Sequence, residues 1–407
     1  MNPLPLLRKL PSLTFALLFV SAPTLATAEW ESQSLPVELQ VGYAVRTLDL
    51  NGDSKLDILV ADSKRYLWLE NPSWKVHVIH DTPNAKSDNV CMAPYDIDGD
   101  GIIDLAIGHD WQPNNTTSGG EIGWLKSPKD PRQPWSYTKI GEEPTTHRMN
   151  WGDLNQDGQM ELIVLPLKGR GTKAPGFDQT PVRLLKYEIP SNPTTEPWPM
   201  TVLDESMHVA HNFEIAGTAK SDSTQQGSTD ILMASYEGAT RFLFTKEGKK
   251  FVYPQGTGFQ GTAPQKGSSE IRRGQLDKTT AFIATVEPWH GDQIVVYTSD
   301  PAKGTRLLQR SVIDNELKWG HAVACANLDS DTEDEIVIGV RDNATAPHRC
   351  GIRIYNWEGG QWKRKLIEPG QVAVEDLVVA DLNSDGRNDI IAVGRATHNA
   401  VIYWNKN

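Results

Sequence analysis

Five stretches of this chain repeat one spacing of oxygen-bearing side chains. The fullest runs Asp96-Ile97-Asp98-Gly99-Asp100-Gly101-Ile102-Ile103-Asp104, with carboxylates at its positions 1, 3, 5 and 9 and a glycine at position 6. Acidic groups this close repel one another unless a hard cation lies between them, and oxygen ligands at alternate positions of a glycine-folded loop suit Ca²⁺. The other copies are Asp49, Asn51, Asp53 and Asp57; Asp153, Asn155, Asp157 and Glu161; Asn327, Asp329, Asp331 and Glu335; and Asp381, Asn383, Asp385 and Asp389. An EF-hand loop places its last acid at position 12 and continues as a helix. Here the last acid comes at position 9, and a strand-like run such as Leu105-Ala106-Ile107-Gly108 follows. The five loops are therefore expected to bind Ca²⁺ structurally within a β-repeat.

A second set of residues has the types needed for proton transfer or transition-metal binding. About six residues before each loop, or at the matching point of a unit without one, the chain places Tyr43; Asp88-Asn89; His147-Arg148; His208 with His211-Asn212; Glu270 with Arg272; Trp319 and His321; and Glu375-Asp376. His147, His211 and His321 occupy near-equivalent points in separate units. Together they can ligate Zn²⁺ or Mg²⁺, or one of them can act as a general base near neutral pH. Arg148 is a candidate for an oxyanion or carboxylate, while His208, Glu270 and His321 are candidate acids or bases. Tyr43, Asn89, Trp289, His290 and Trp319 are candidate substrate contacts, because an indole can stack on a sugar ring. His77, His80, His109, His348 and His398 read as structural or solvated.

These residues must be held by strands. Around each loop the pattern is strand, loop, strand, turn, strand and a further short strand, as in Tyr43–Leu48, Ile58–Ala61, Tyr66–Asn71 and Trp74–Ile79. Two units keep this frame without the acids, leading to Asp230–Ala234 and Ala281–Thr285. Seven such units open near residues 43, 90, 147, 208, 270, 321 and 375, which predicts an all-β, seven-bladed propeller over residues 29–407. The late strand Ala400–Trp404 is expected to close the ring. In a propeller the first strand of each blade lines the axis. At about 3.3 Å per residue, the histidines then converge roughly 20 Å from the loops, at the opposite mouth of the channel.

Composition narrows the class. A formal charge of −12 over 407 residues argues against a nucleic-acid partner or an anionic membrane surface. Arg8 and Lys9, the apolar stretch Leu13–Val20 and Ala26-Thr27-Ala28 read as a signal peptide over residues 1–28. The mature chain is expected to be periplasmic or secreted, with no membrane anchor after cleavage. Cys91, Cys325 and Cys350 allow at most one disulfide, and their spacing does not select a pair. Insertions at Asp110–Gly120, Pro166–Pro181, Gly256–Ser268 and Asp342–Cys350 read as surface loops.

The acidic loops resemble FG-GAP/VCBS-type propeller repeats. Asp88-Asn89-Val90, Thr146-His147-Arg148, His211-Asn212-Phe213, Glu287-Pro288-Trp289-His290-Gly291 and Trp319-Gly320-His321 are similar to the propeller domain of the aldos-2-ulose dehydratase family. That resemblance implies elimination of water from keto-sugars such as anhydrofructose, with metal ions in attendance. The cupin domains that follow the propeller in that family have no counterpart in this sequence, so an isomerase step assigned to them is not expected. The function expected is a carbohydrate C–O lyase. Two alternatives are a non-catalytic glycan- or protein-binding propeller and a glycoside hydrolase, the latter drawing its two carboxylates from Glu270 and Glu375-Asp376.

Overall fold

A computed structural model describes residues 29–216, 228–248, 250–299, 307–329, 331–342 and 350–407. The expected leader and His348 lie outside the described residues. The chain forms seven four-stranded antiparallel sheets arranged as the blades of a ring. Their axial strands are Gly42–Leu48, Cys91–Tyr95, Thr146–Gly152, Asn212–Ala216, Ile271–Gln275, Gly320–Ala326 and Val374–Ala380, close to the seven expected openings. The second strand of each blade is buried on both faces and reads as a continuous apolar run. In Asp57–Asp62 and Glu335–Val340 every residue is buried. Apolar clusters then fill the spaces between blades. One joins Val45, Ile58 and Leu67 of the first blade to Ile391, Val393 and Ile402 of the seventh.

Closure differs from expectation. Ala400–Asn405 is the third strand of the last blade, and the fourth is Trp30–Ser34 from the other end of the chain. The two termini meet in one sheet, pairing Trp30 with Asn405 through Ser34 with Val401. This leaves no blade short of a strand, and Trp404 Nε1 donates to Gln33 Oε1 at 2.9 Å across the seam. The three cysteines are free thiols, with Cys91 and Cys350 buried.

A recurring irregularity aims side chains at the axis. In blades 1, 3, 6 and 7 the ladder between the first two strands skips one residue, at Tyr43, His147, His321 and Glu375. Such a bulge sets two residues against one, bends the strand and redirects the extra side chain. His211 and Glu270 stand just before the regular ladder at the same point of blades 4 and 5. Two residues ahead of each of His147, His211 and His321 the backbone turns left-handed, with φ of 60° at Thr145, 41° at Val209 and 59° at Trp319. Non-glycine residues rarely adopt that conformation. Its repetition ahead of the same three histidines makes it part of how they are presented.

Candidate functional site

The bulges at His147 and His321 and the strand entry at His211 bring these three side chains together, and a fourth histidine joins them. His290 enters from the turn after Ala281–Glu287, the second strand of blade 5. His211 is central: its ring centroid lies 4.7 Å from that of His147, 4.5 Å from His290 and 5.0 Å from His321. Nε2 of His211 and Nε2 of His290 are 2.9 Å apart. One ring nitrogen of each of His211, His290 and His321 lies within 4.8 Å of the others. His147, His211 and His321 are buried, and His290 is half-buried at the mouth.

Electrostatics keeps these rings neutral. Burial lowers all four pKa values well below 6.5. Arg148 adds to this at His147 and His211, His211 and Arg341 at His290, and Arg341 and His290 at His321. Neutral imidazoles keep a lone pair free, which metal ligation requires.

The outer nitrogens meet oxygen atoms. His321 Nδ1 lies 2.5 Å from the Glu375 carbonyl. His211 Nδ1 lies 2.8 Å from Glu270 Oε1, though the two are not aligned as a hydrogen bond. Glu270 also accepts from Asn212 Nδ2 at 2.6 Å, and burial pushes its pKa up to about 7. Imidazoles whose far nitrogen faces an oxygen acceptor while the near one points inward are the usual setting of a histidine metal centre. Two ligand nitrogens of a tetrahedral Zn²⁺, each about 2.0–2.1 Å from the metal, stand somewhat over 3 Å apart. The donor set therefore fits a transition metal. His147 differs from the other three, since neither of its buried ring nitrogens has a partner.

The remaining candidates sort by contact. Trp289 stacks on His290 with centroids 4.0 Å apart, and so buttresses it. Trp319 is 47% exposed beneath the Arg341 guanidinium, 5.1 Å from its ring centroid. With Trp289, His290, Lys318 and Pro264 it borders a hollow of about 400 Å³ beside the histidines. Tyr43 is buried and donates to Asp88 Oδ2 at 2.8 Å.

Four expectations change. Asn89 faces blade 1, near Asp62 O and Thr82 Oγ1, and the position equivalent to His147 in blade 2 is the buried Val90. His208 pairs with Glu237 at 2.9 Å and has no ring contact with the cluster. Arg148 lines the channel below the histidines with Arg46 and Arg272. Glu375 is held by Arg341 at 3.0 Å and Arg395 at 2.8 Å, and Asp376 meets Arg46 at 3.3 Å, which ties up the carboxylates a hydrolase would need. Arg341 and Arg395 were not singled out in the sequence. Both directly follow the second strand of their blades, so aligning blades 6 and 7 would have exposed them.

At the opposite ends of the axial strands the acidic loops are folded by their own hydrogen bonds. Asp49 Oδ1 accepts from the Gly52 and Asp53 amides, and Asp153, Asp96 and Asp381 accept from their own loop amides in the same way. Positions 4 and 6 are left-handed in four loops, at Gly52 and Ser54, Gly99 and Gly101, Gln156 and Gly158, and Ser384 and Gly386. That conformation is why glycine recurs there. The position-9 acids are buried clamps. Asp57 accepts from the Leu50 and Asn71 amides, Asp104 from Ile97 and Ser127, and Asp389 from Leu382 and Asn405. Asp96, Asp98 and Asp100 bring carboxylate oxygens within 4.8 Å of one another, as do Asp329, Asp331 and Glu335. Asp98 Oδ1 is buried without a partner, and Lys126 bridges Asp98 and Asp100. In this arrangement the ammonium group supplies the countercharge to two of the three carboxylates, so a hard cation would have to displace it.

Residues 119–300 match the β-propeller domain of aldos-2-ulose dehydratase, and residues 49–107 match an FG-GAP-like repeat. The chain is a seven-bladed propeller, similar in part to the propeller domain of aldos-2-ulose dehydratase and in part to an FG-GAP-like repeat. The aldos-2-ulose dehydratase of Phanerodontia chrysosporium is 25% identical over 365 residues, which are 83% of this chain and 39% of that protein. The chain thus spans well under half the length of this relative. The dehydratase match contains His147, His211, Glu270 and His290 and ends before His321. Two solved structures share the fold alone. A chain from a BBS1N–ARL6DN complex aligns with TM-score 0.52 and 13% identity over 94% of this chain and 98% of its own. A chain from a mitotic checkpoint complex aligns with TM-score 0.54 and 11% identity over 97% and 99%.

Proposed function

We propose that this chain is an exported, carbohydrate-active propeller that eliminates water from a keto-sugar at the axial mouth. The observation carrying this reading is the convergence of three neutral imidazoles, His211, His290 and His321, beside a fourth, His147, whose nitrogens are unpaired. The similarity to a dehydratase of 2-keto-aldoses supports the substrate class, and the leader-like residues 1–28 support export. His211, His290 and His321 would hold Zn²⁺ or another divalent ion, whose chemistry there is Lewis-acid polarisation of a carbonyl oxygen. The acidic loops would hold Ca²⁺ and fix the blade ends.

The protein's own residues supply the rest. Trp319 offers a face for the sugar ring, and Arg341 above it orients oxygen atoms by hydrogen bonds. His147 takes the proton from the carbon next to the carbonyl. As the C–H pair becomes the C=C bond, the C–O bond at the neighbouring carbon breaks, and the hydroxyl leaves as water with the proton that His147 returns. One imidazole thus serves as base and then acid. Glu270 keeps His211 oriented.

The test follows formation of the unsaturated ketone from anhydrofructose by ultraviolet absorbance, together with metal analysis. His147→Gln is expected to lower kcat about 10²- to 10⁴-fold with metal content unchanged. His290→Ala is expected to lose the metal. A wild-type protein that holds the metal but converts neither anhydrofructose nor other 2-keto-aldoses would sink the lyase reading and favour a binding propeller.

A further inference from the structure

Below the histidines the axial channel holds a cavity of about 380 Å³, and three guanidinium groups line it. Arg46, Arg148 and Arg272 come from the axial strands of blades 1, 3 and 5, so they approach the axis from three sides. Each donates to a carbonyl of its own strand: Arg46 to Val45 at 2.7 Å, Arg148 to His147 at 3.1 Å and Arg272 to Ile271 at 2.6 Å. A guanidinium has five donor hydrogens, so most of this capacity is unused.

Countercharge is short. Asp376 meets Arg46 at 3.3 Å, but it also accepts from the Val45 amide at 3.0 Å. Among the described residues neither Arg148 nor Arg272 forms an ion pair. Glu214, which also lines the cavity, accepts from the Arg273 amide at 2.9 Å, and Glu270 is turned to Asn212 and His211. Arg148 is only 5% exposed. Burial, and after it the neighbouring Arg148 and Arg272, lowers the pKa of Arg46 against the pull of Asp376. Three like charges gathered in a channel of a chain whose net charge is −12 need an explanation.

We propose that this part of the channel is a binding site for a small inorganic oxyanion, phosphate or sulfate, held by Arg46, Arg148 and Arg272. Arginine presents paired N–H donors that match two oxygens of a tetrahedral anion, and three arginines from alternate blades can each engage a different edge. The anion would neutralise the floor beneath the histidines. It goes beyond the lyase reading and does not depend on it.

Isothermal titration with inorganic phosphate, at constant ionic strength maintained with potassium chloride, tests the proposal on the full-length mature protein. One saturable site per chain with Kd below about 1 mM is expected. Arg46→Gln and Arg272→Gln should each weaken it at least tenfold, while Lys75→Gln on an outer strand leaves it unchanged. Should either variant fail to fold, ³¹P line broadening on the wild type, relieved by added sulfate, gives the same answer. Absence of saturable binding, binding by both arginine variants as tight as by the wild type, or equal displacement by chloride and sulfate would overturn it.

Discussion

Glu270 offers the most direct handle on the histidine cluster, because its carboxylate is buried 2.8 Å from His211 Nδ1 and touches no solvent of consequence. Glu270→Gln keeps the shape and the Asn212 contact but removes the charge facing the imidazole. Loss of such an outer partner typically costs 10- to 100-fold in metal affinity. Competition against a chelator of known affinity should show that drop with little change in Tm, and unchanged affinity would mean Glu270 does not support the metal. Much of the site was legible at this scale: His147, His211 and His321 could be matched because each lies at the head of an axial strand. His290 could be noticed, but its place against His211 could not. A turn residue has no strand register, and its direction depends on how the loop is anchored. Arg148 shows the opposite failure, since adjacency to His147 in sequence did not put its guanidinium at the mouth.

The anchor of the His290 turn lies within blade 5. Glu287, fully buried at the end of the second strand, accepts from Ser268 Oγ at 2.9 Å, Thr285 Oγ1 at 3.0 Å, Tyr297 Oη at 2.7 Å and Arg310 at 2.7 and 2.9 Å. A buried carboxylate surrounded by this many donors is costly to alter, because removing the charge strands the arginine and leaves hydroxyls unmatched. Glu287→Gln is expected to lower unfolding free energy by about 3–5 kcal/mol and to weaken the metal by moving Trp289 and His290. Urea unfolding with a parallel metal titration checks both. A loss below about 1 kcal/mol would mean that the network is not what fixes the turn. Alternating and continuous apolar runs made the strands of this blade readable in the sequence. A network linking four separate segments was not readable, since no local pattern marks it.

At the scale of the ring, the number of blades followed from counting repeats, while the closure did not. Trp30–Ser34 is a short polar strand whose partner lies some 370 residues away, as the 371-residue separation of Gln33 and Trp404 records. Nothing local in the sequence tells such a segment where to pair. The acidic loops lie on five of the seven blades and are absent from blades 4 and 5. In blade 4 the buried Asp230 is held instead by Arg241 and Arg273, at 2.7 and 3.0 Å. Ca²⁺ would therefore stabilise one continuous arc running from blade 6 through 7, 1 and 2 to 3. A ligand that binds only the folded chain, at 100 times its Kd, adds about 2.7 kcal/mol per site. In a closed ring the gain from several loops should appear in one cooperative transition. Thermal unfolding with excess EGTA is expected to lower Tm by several degrees, and added Ca²⁺, but not an equal concentration of Na⁺, should restore it. The wild type should also lose more than Asp98→Asn, in which the second loop has already given up a charge. A Tm unmoved by EGTA would mean that hydrogen bonds from the loop amides and clamps such as Asp57 hold these loops without an ion.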